Sequence, residues 1–178
     1  MRPSSFEGPW LVADGVVALH PLRVDDVEVH EAGQDAELIR WLSGGAASYE
    51  RQLQWLEEQA HACATGAPVV DVGVHHLDLD ALVGTVGLQS AMTYLSPGQV
   101  NISYGLYPAH RGRGLATRAV LLGMRLAASW WPVREFVIRV DPANTPSVAV
   151  AVRCGFTLSR ATSDEHGHLD WYTRAADA

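Results

Sequence analysis

The sequence predicts an α+β protein built on a mixed, mostly antiparallel sheet, and three observations carry that reading. Runs of strand-like segments come first, and from Gln99 onward the pattern becomes β-α-β-α-β. The 178 residues show no repeat or low-complexity tract. Residues 1–178 therefore read as a single domain, long enough to bury a real core.

Val16 to Leu22 reads as the first strand. Asp25 to Ala32 and Ala36 to Leu42 read as short helices broken near Gly33, and Gly44-Gly45 as a flexible link. Ser48 is placed to cap a longer helix with Arg51 in its first turn. Leu53, Leu56, Ala60 and Cys63 recur there at helical spacing, which predicts one buried face, and Gly66-Ala67-Pro68 ends the helix. Val69 to His76 and Ala81 to Ala91 form an expected hairpin, with Asp78-Leu79-Asp80 in the turn. Gln99 to Tyr107 is a strand running into a glycine-arginine turn, and Ala116 to Ala128 is a helix. Phe136 to Val140 is a β-branched strand, and Val148 to Arg153 a short helix ending before Gly155-Phe156. Phe156 to Thr162 and Leu169 to Arg174 pair last, around Glu165-His166-Gly167. The Ala-rich end, Ala175 to Ala178, reads as dispensable.

Composition narrows the function. Hydrophobic residues make up 48% of the chain, yet no apolar run approaches a membrane span. Met1 to Phe6 has no apolar region behind it, so it is not a secretory signal. Cys63 and Cys154 lie in amphipathic patterns without C-x-x-C spacing, which fits reduced thiols in a cytoplasmic protein. A net charge of −7 argues against nucleic acid as a partner and favours a cationic one such as an amine.

Against that acidic background, His110, Arg111, Arg113 and Arg118 crowd one turn between a strand and a helix. Small residues there let backbone N–H groups approach a ligand, and the helix N-terminus adds partial positive charge. The turn is a natural seat for phosphate. A dinucleotide fingerprint is excluded, because Gly112-Arg113-Gly114 is followed by Leu115-Ala116-Thr117 without a third glycine. No Gly-Lys-Ser/Thr follows either, which excludes a P-loop.

What remains, Arg111-x-x-Gly114-x-Ala116, resembles the Q/R-x-x-G-x-G/A signature of the GCN5-related N-acetyltransferases. The later run V-D-P-x-N-x-x-S (Val140 to Ser147) with Cys154-Gly155-Phe156 resembles the second half of that family, in its branch similar to ribosomal-protein alanine N-acetyltransferases. Leu19 to Arg23 and Asp35 to Leu42 fit the branch's opening strand and first helices, so the resemblance spans nearly the whole chain. It implies a sheet of six to seven strands flanked by about four helices. It also implies an acetyl-CoA-dependent N-acetyltransferase, with direct transfer to an amine in a ternary complex. The acceptor is a protein N-terminus, an aminoglycoside or another metabolite, and the protein a monomer or homodimer. The alternative is a catalytically silent module that binds acyl-CoA.

The same resemblance assigns the site. Leu106 and Tyr107 supply backbone groups that hold the acetyl carbonyl, and Arg111, Gly112, Arg113, Gly114, Leu115, Ala116 and Thr117 contact the pyrophosphate. Asn144 contacts the pantetheine arm, and Ser147 protonates or solvates the leaving thiolate. Many relatives carry a glutamate on the strand before the signature. Here Asn101 stands in about that place, able to position a water but not to take a proton. Substitute bases come from Asp71, His75, His76, Glu165, His166 or His168. No metal is expected: His75 and His76 are adjacent on a strand, point to opposite faces and chelate poorly. Trp41 and Trp55 fall in the helices that, by the resemblance, wall the acceptor site, though core packing is the role expected of them; Trp130-Trp131 is expected to pack the core edge, the alternative being a dimer surface.

Overall fold

The computed structural model describes residues 9–43, 47–164 and 167–176. Eight strands form one sheet in the order β1-β2-β3-β4-β5-β6-β8-β7. They are β1 (Val12–Ala13), β2 (Val17–Pro21), β3 (Val69–His76), β4 (Ala81–Gln89), β5 (Gln99–Leu106), β6 (Glu135–Val140), β7 (Thr157–Asp164) and β8 (Gly167–Ala175). Five α-helices accompany them: α1 (Val27–Gly33), α2 (Ala36–Leu38), α3 (Tyr49–Thr65), α4 (Leu115–Trp130) and α5 (Thr145–Arg153). The mixed, mostly antiparallel α+β architecture is as the sequence predicts, with one strand more than the six to seven expected. The extra one, β1, is two residues long, too short to show a periodicity.

Alternation along the central strands sorts the two faces. Val70, Val72 and Val74 of β3, Val86 and Leu88 of β4, Val100 and Ile102 of β5, and Phe136 and Ile138 of β6 are buried in one cluster. Val120, Leu122 and Leu126 of α4 join it, so α4 closes that face. On the other face, Leu22, Val27, Leu38, Leu56, Leu82 and Tyr107 form a smaller core beneath α1–α3. The odd-numbered residues between these two cores are small or polar: Asp71, Gly87 and Ser103 lie side by side across β3, β4 and β5. A cavity lies over them.

Local chemistry matches the boundaries. Ser48 Oγ accepts from the Arg51 N–H at the start of α3, and Gly66, at φ 68°, ends the helix in a left-handed cap. Gly44-Gly45 lies outside the described residues, as do Glu165 and His166. The buried face of α3 is set by Gln52 and Leu56, while Leu53 and Cys63 are only partly buried. Trp130 and Trp131 meet edge-to-face and pack, partly buried, against the main core. The C-terminal end needs correction: Ala175 pairs with Glu135 and the Ala176 N–H donates to the Arg134 carbonyl, so both belong to the sheet.

Candidate active site

The strand order puts the one parallel pair among the described residues, β5 and β6, near the middle of the sheet, because α4 carries the chain across. That pairing covers only Gln99, Asn101 and their neighbours, opposite Glu135 to Val137. Beyond it the strands part. The Tyr107 N–H donates to the Val83 carbonyl of β4 at 2.9 Å, so by antiparallel alternation the N–H groups of Tyr104 and Leu106 face the opened side. This corrects one expectation: Leu106 has a backbone donor aimed into the gap, whereas the Tyr107 donor is committed to β4.

Two cavities meet at this gap. The narrower, about 670 Å³, runs past Leu106, Gly112, Gly114, Ala116, Thr117, Asn144 and Ser147. The wider, about 1040 Å³, lies over Asp71, Asn101 and Ser103 beneath α1–α3. Leu38, Trp41, Leu42, Tyr104, Gly105 and Arg139 wall both. Trp41 and Trp55 line the wider cavity; Trp55 also packs against the smaller core, as expected, and stacks on His30, with ring centroids 4.8 Å apart.

At the narrow end the turn is built for an anion. Gly112 and Gly114 take φ of 74° and 75°, a region glycine enters without strain, and open space surrounds both α-carbons. Gly114 offers α4 no side-chain cap, so the first-turn N–H groups of Leu115, Ala116 and Thr117 stay available. Fewer of the basic side chains are available than the sequence suggests. The Arg111 guanidinium donates to both carboxylate oxygens of Asp35 at 2.7 and 2.9 Å, to Glu37 at 2.8 Å and to the Leu106 carbonyl at 2.9 Å. That pairing holds the Asp35 carboxyl at about 2. Arg118 pairs with Asp14 at 2.7 Å. Arg113 is exposed, and Arg153 of α5 adds a cation to the cavity wall that no motif marked.

The proton-handling groups lie at the junction. Asn144 Oδ1 accepts from the Ser147 N–H at 3.2 Å and caps α5, which leaves the Ser147 hydroxyl out of the capping role. Tyr104 Oη is 2.8 Å from Ser147 Oγ and 3.0 Å from its carbonyl, bridging β5 to α5. Burial pushes the Tyr104 phenol up to about 12. Sequence reading missed Tyr104; its spacing from Ser147 in the chain gives no sign of contact. Asn101 is buried, its Nδ2 donates to Gln89 Oε1 at 2.9 Å, and its Oδ1 has no partner among the described residues.

The remaining candidate bases fall in three places. Asp71 lines the wider cavity, and burial raises its carboxyl to about 6. His75 is buried beside Trp10 and His20, with Nε2 3.0 Å from Asp80 Oδ1, away from both cavities. His168 bonds Ser163 and Asp170 on the exposed hairpin. A further histidine, His30, lines the wider cavity: Gln34 Nε2 donates to its Nε2, so Nδ1 donates to the Tyr107 hydroxyl at 2.9 Å. Burial lowers His30 to about 4, so it is neutral, and raises the Tyr107 phenol. Among the described residues no cluster of His, Cys, Asp or Glu could hold a metal, and no helix is long and apolar enough to cross a membrane.

No curated protein sequence matches the chain significantly. Among solved structures, the acetyl transferase from Salmonella typhimurium that modifies the N-terminal serine of ribosomal protein L7/L12 superposes with a TM-score of 0.79 at 18% identity, over 95% of this chain and 100% of that one. The microcin C7 self-immunity acetyltransferase MccE, in complex with acetyl-CoA and AMP, gives 0.77 at 16% identity, over 92% and 94%. An aminoglycoside acetyltransferase in complex with coenzyme A gives 0.74 at 15%, over 89% and 94%. The family described as Acetyltransferase (GNAT) domain matches residues 17–157, and the chain is therefore a member of the GCN5-related N-acetyltransferase family.

Proposed function

We propose that this protein is an acetyl-CoA-dependent N-acetyltransferase that passes the acetyl group directly to a primary amine in a ternary complex. The observation that carries the reading is the meeting of two cavities where β5 and β6 part, one leading to a turn of free backbone donors and the other to a wider chamber floored by Asp71, Asn101 and Ser103. Acetyl-CoA supplies the thioester; the chain supplies positioning and proton transfer. The N–H groups from Gly112 to Thr117 hold the phosphates, with Arg113 and Arg153 as cations and Arg111 as a strut behind them. Asn144 lines the path to the thioester, and the Leu106 N–H polarises the acetyl carbonyl. Ser147 Oγ, backed by the Tyr104 hydroxyl, gives a proton to the departing thiolate. Asn101 Oδ1 orders water in the wider cavity, and the proton of the amine leaves through that water.

Direct transfer is supported by the thiols. Cys63 and Cys154 line neither cavity, and burial raises both, Cys154 to about 11, so neither is a nucleophile for a covalent intermediate. We read residues 1–178 as one catalytic domain working on an amine in the cytoplasm. Acceptors of the structural neighbours differ, so the amine class is the open variable on this fold. The test is release of free CoA thiol from acetyl-CoA with an amine panel of protein N-terminal peptides, aminoglycosides and small amines. Amine-dependent release is expected. Tight acetyl-CoA binding without release for every amine would replace this reading by that of a silent binding module.

A further inference from the structure

The floor of the wider cavity is unusual in what it leaves unmatched. Asp71 on β3, Gly87 on β4 and Ser103 on β5 are aligned by strand register on the face away from α4. A Cβ at position 87 would collide with both Asp71 Oδ1 and Ser103 Oγ, so the glycine is what lets those groups converge over the sheet. Among the described residues no hydrogen bond or ion pair reaches the Asp71 carboxylate; only its backbone N–H is engaged, with Gln59. A half-buried carboxylate facing a cavity with no cation beside it is a natural partner for a positively charged group. Nearby Asn101 offers a second unpartnered acceptor, Oδ1. A floor of acceptors calls for a ligand rich in donors, and an ammonium group has three.

The walls are mixed. Trp41, Trp55 and Tyr94 line the chamber, each with one face already engaged: Arg40 lies over Trp41, His30 stacks on Trp55, and Arg139 lies 3.9 Å from the Tyr94 ring centre. Arg51 pairs with Glu58, and Arg139 Nε has no hydrogen-bond partner among the described residues. Glu31 adds a second negative charge to the lining. The position of Asp71 then decides which nitrogen it holds. Its Oδ1 lies beside the Cβ position of Gly87 on β4, one strand spacing from β5 (about 4.8 Å) and two residues back from Gly105 (about 6.8 Å), so roughly 8 Å separates it from the strand end where the cavities meet. A nitrogen on Asp71 is not the nitrogen at the donor.

We propose that the acceptor is a small amine with two cationic nitrogens, of the linear polyamine class, one seated on Asp71 while the other meets the donor beside Tyr104 and Ser147. This rests on the transferase reading and names its substrate class. A chamber of about 1040 Å³ is at the upper end of small-ligand sites, enough for such a molecule. Calorimetry on the CoA-loaded protein tests it with spermidine against n-hexylamine, which has one nitrogen, and a tripeptide with a free N-terminus. Spermidine is expected to bind at least about tenfold more tightly than hexylamine. Asp71→Asn should erase that preference without lowering thermal stability at neutral pH, and Asp71→Glu should keep part of it. Equal binding of the two amines by the wild-type protein would overturn the proposal, whatever the variants do. So would a preference that survives Asp71→Asn, or tighter binding of the tripeptide. CoA thiol release is read in parallel. Spermidine binding through Asp71 with no release from any amine would uphold the seat and refute the transferase reading; release without the Asp71 preference would do the reverse.

Discussion

At Gly114 one missing side chain serves two purposes. Its φ of 75° excludes β-branched residues, and the space beside it is where a phosphate must come close. Gly114→Val is expected to raise the Kd for acetyl-CoA at least about tenfold, or about 1.4 kcal/mol, and calorimetry showing unchanged affinity in a folded variant would remove this turn as the donor seat. Ser147 poses a finer question. Serine near a helix start usually serves as the cap, but here Asn144 caps α5 and the Ser147 hydroxyl meets Tyr104 instead. Ser147→Ala should lower kcat about 10- to 100-fold with little change in donor affinity, and Tyr104→Phe should lower it by less, because water can replace one link of the pair. If kcat stays intact while the melting temperature falls in Ser147→Ala, the hydroxyl is structural. A sequence shows Ser147 through its motif, but Tyr104 becomes visible only when β5 and α5 are brought together.

At the scale of elements, Arg111 links two parts that the chain keeps far apart. Asp35 caps α2 by accepting from the Leu38 N–H at 2.9 Å and also grips Arg111, so the arm bearing Leu38, Trp41 and Leu42 is tied to the anion turn. Both partners are about one-third exposed, so the pair adds only modest stability; its larger effect is to place the arm that walls both cavities. Asp35→Ala is expected to cost about 1 kcal/mol through the lost cap and to raise the acceptor KM more than the donor Kd. Equal effects on the two ligands, measured by steady-state kinetics and calorimetry, would mean that the arm serves only the donor side. The arginine was legible as part of a motif, yet its partners were not. A motif records spacing along the chain, and Asp35 lies 76 residues away.

For the whole molecule, pH acts on two buried groups with opposite sign. His30, at about 4 in the folded protein and 6.5 when unfolded, is held neutral by burial, so its contribution is present above pH 6.5 and lost as pH falls towards 4. Asp71, raised to about 6 by burial, works the other way: the fold gains stability as this carboxyl is protonated below pH 6. Between pH 7.5 and 5 the wild-type protein is expected to lose roughly 2 kcal/mol more than a His30→Gln variant, as read by urea unfolding at each pH. Identical pH dependence in the two proteins would exclude His30 as the sensor. Activity should follow a different titration. With Asn101 in place of a carboxylate, the rate should climb with pH until the acceptor amine titrates, and its inflection should move when acceptors of different pKa are exchanged. A fixed inflection would reveal a base on the protein.

The chain by itself determined the mixed sheet, because alternation of valines with small or polar residues specifies strands and faces before any contact is made. It also determined the anion turn, since glycine and a helix start act through local backbone geometry. Tertiary structure alone decided which backbone N–H points into the gap, because that depends on strand register: Leu106 faces it and Tyr107 does not. It alone decided that Arg111 is a strut, because Asp35 reaches it only through the fold. The acidic seat at Asp71 arises the same way, from three strands aligned side by side with a glycine in the middle. Such convergence is set by distances in space, and residues 16 apart along the chain, as Asp71, Gly87 and Ser103 successively are, carry no local trace of it.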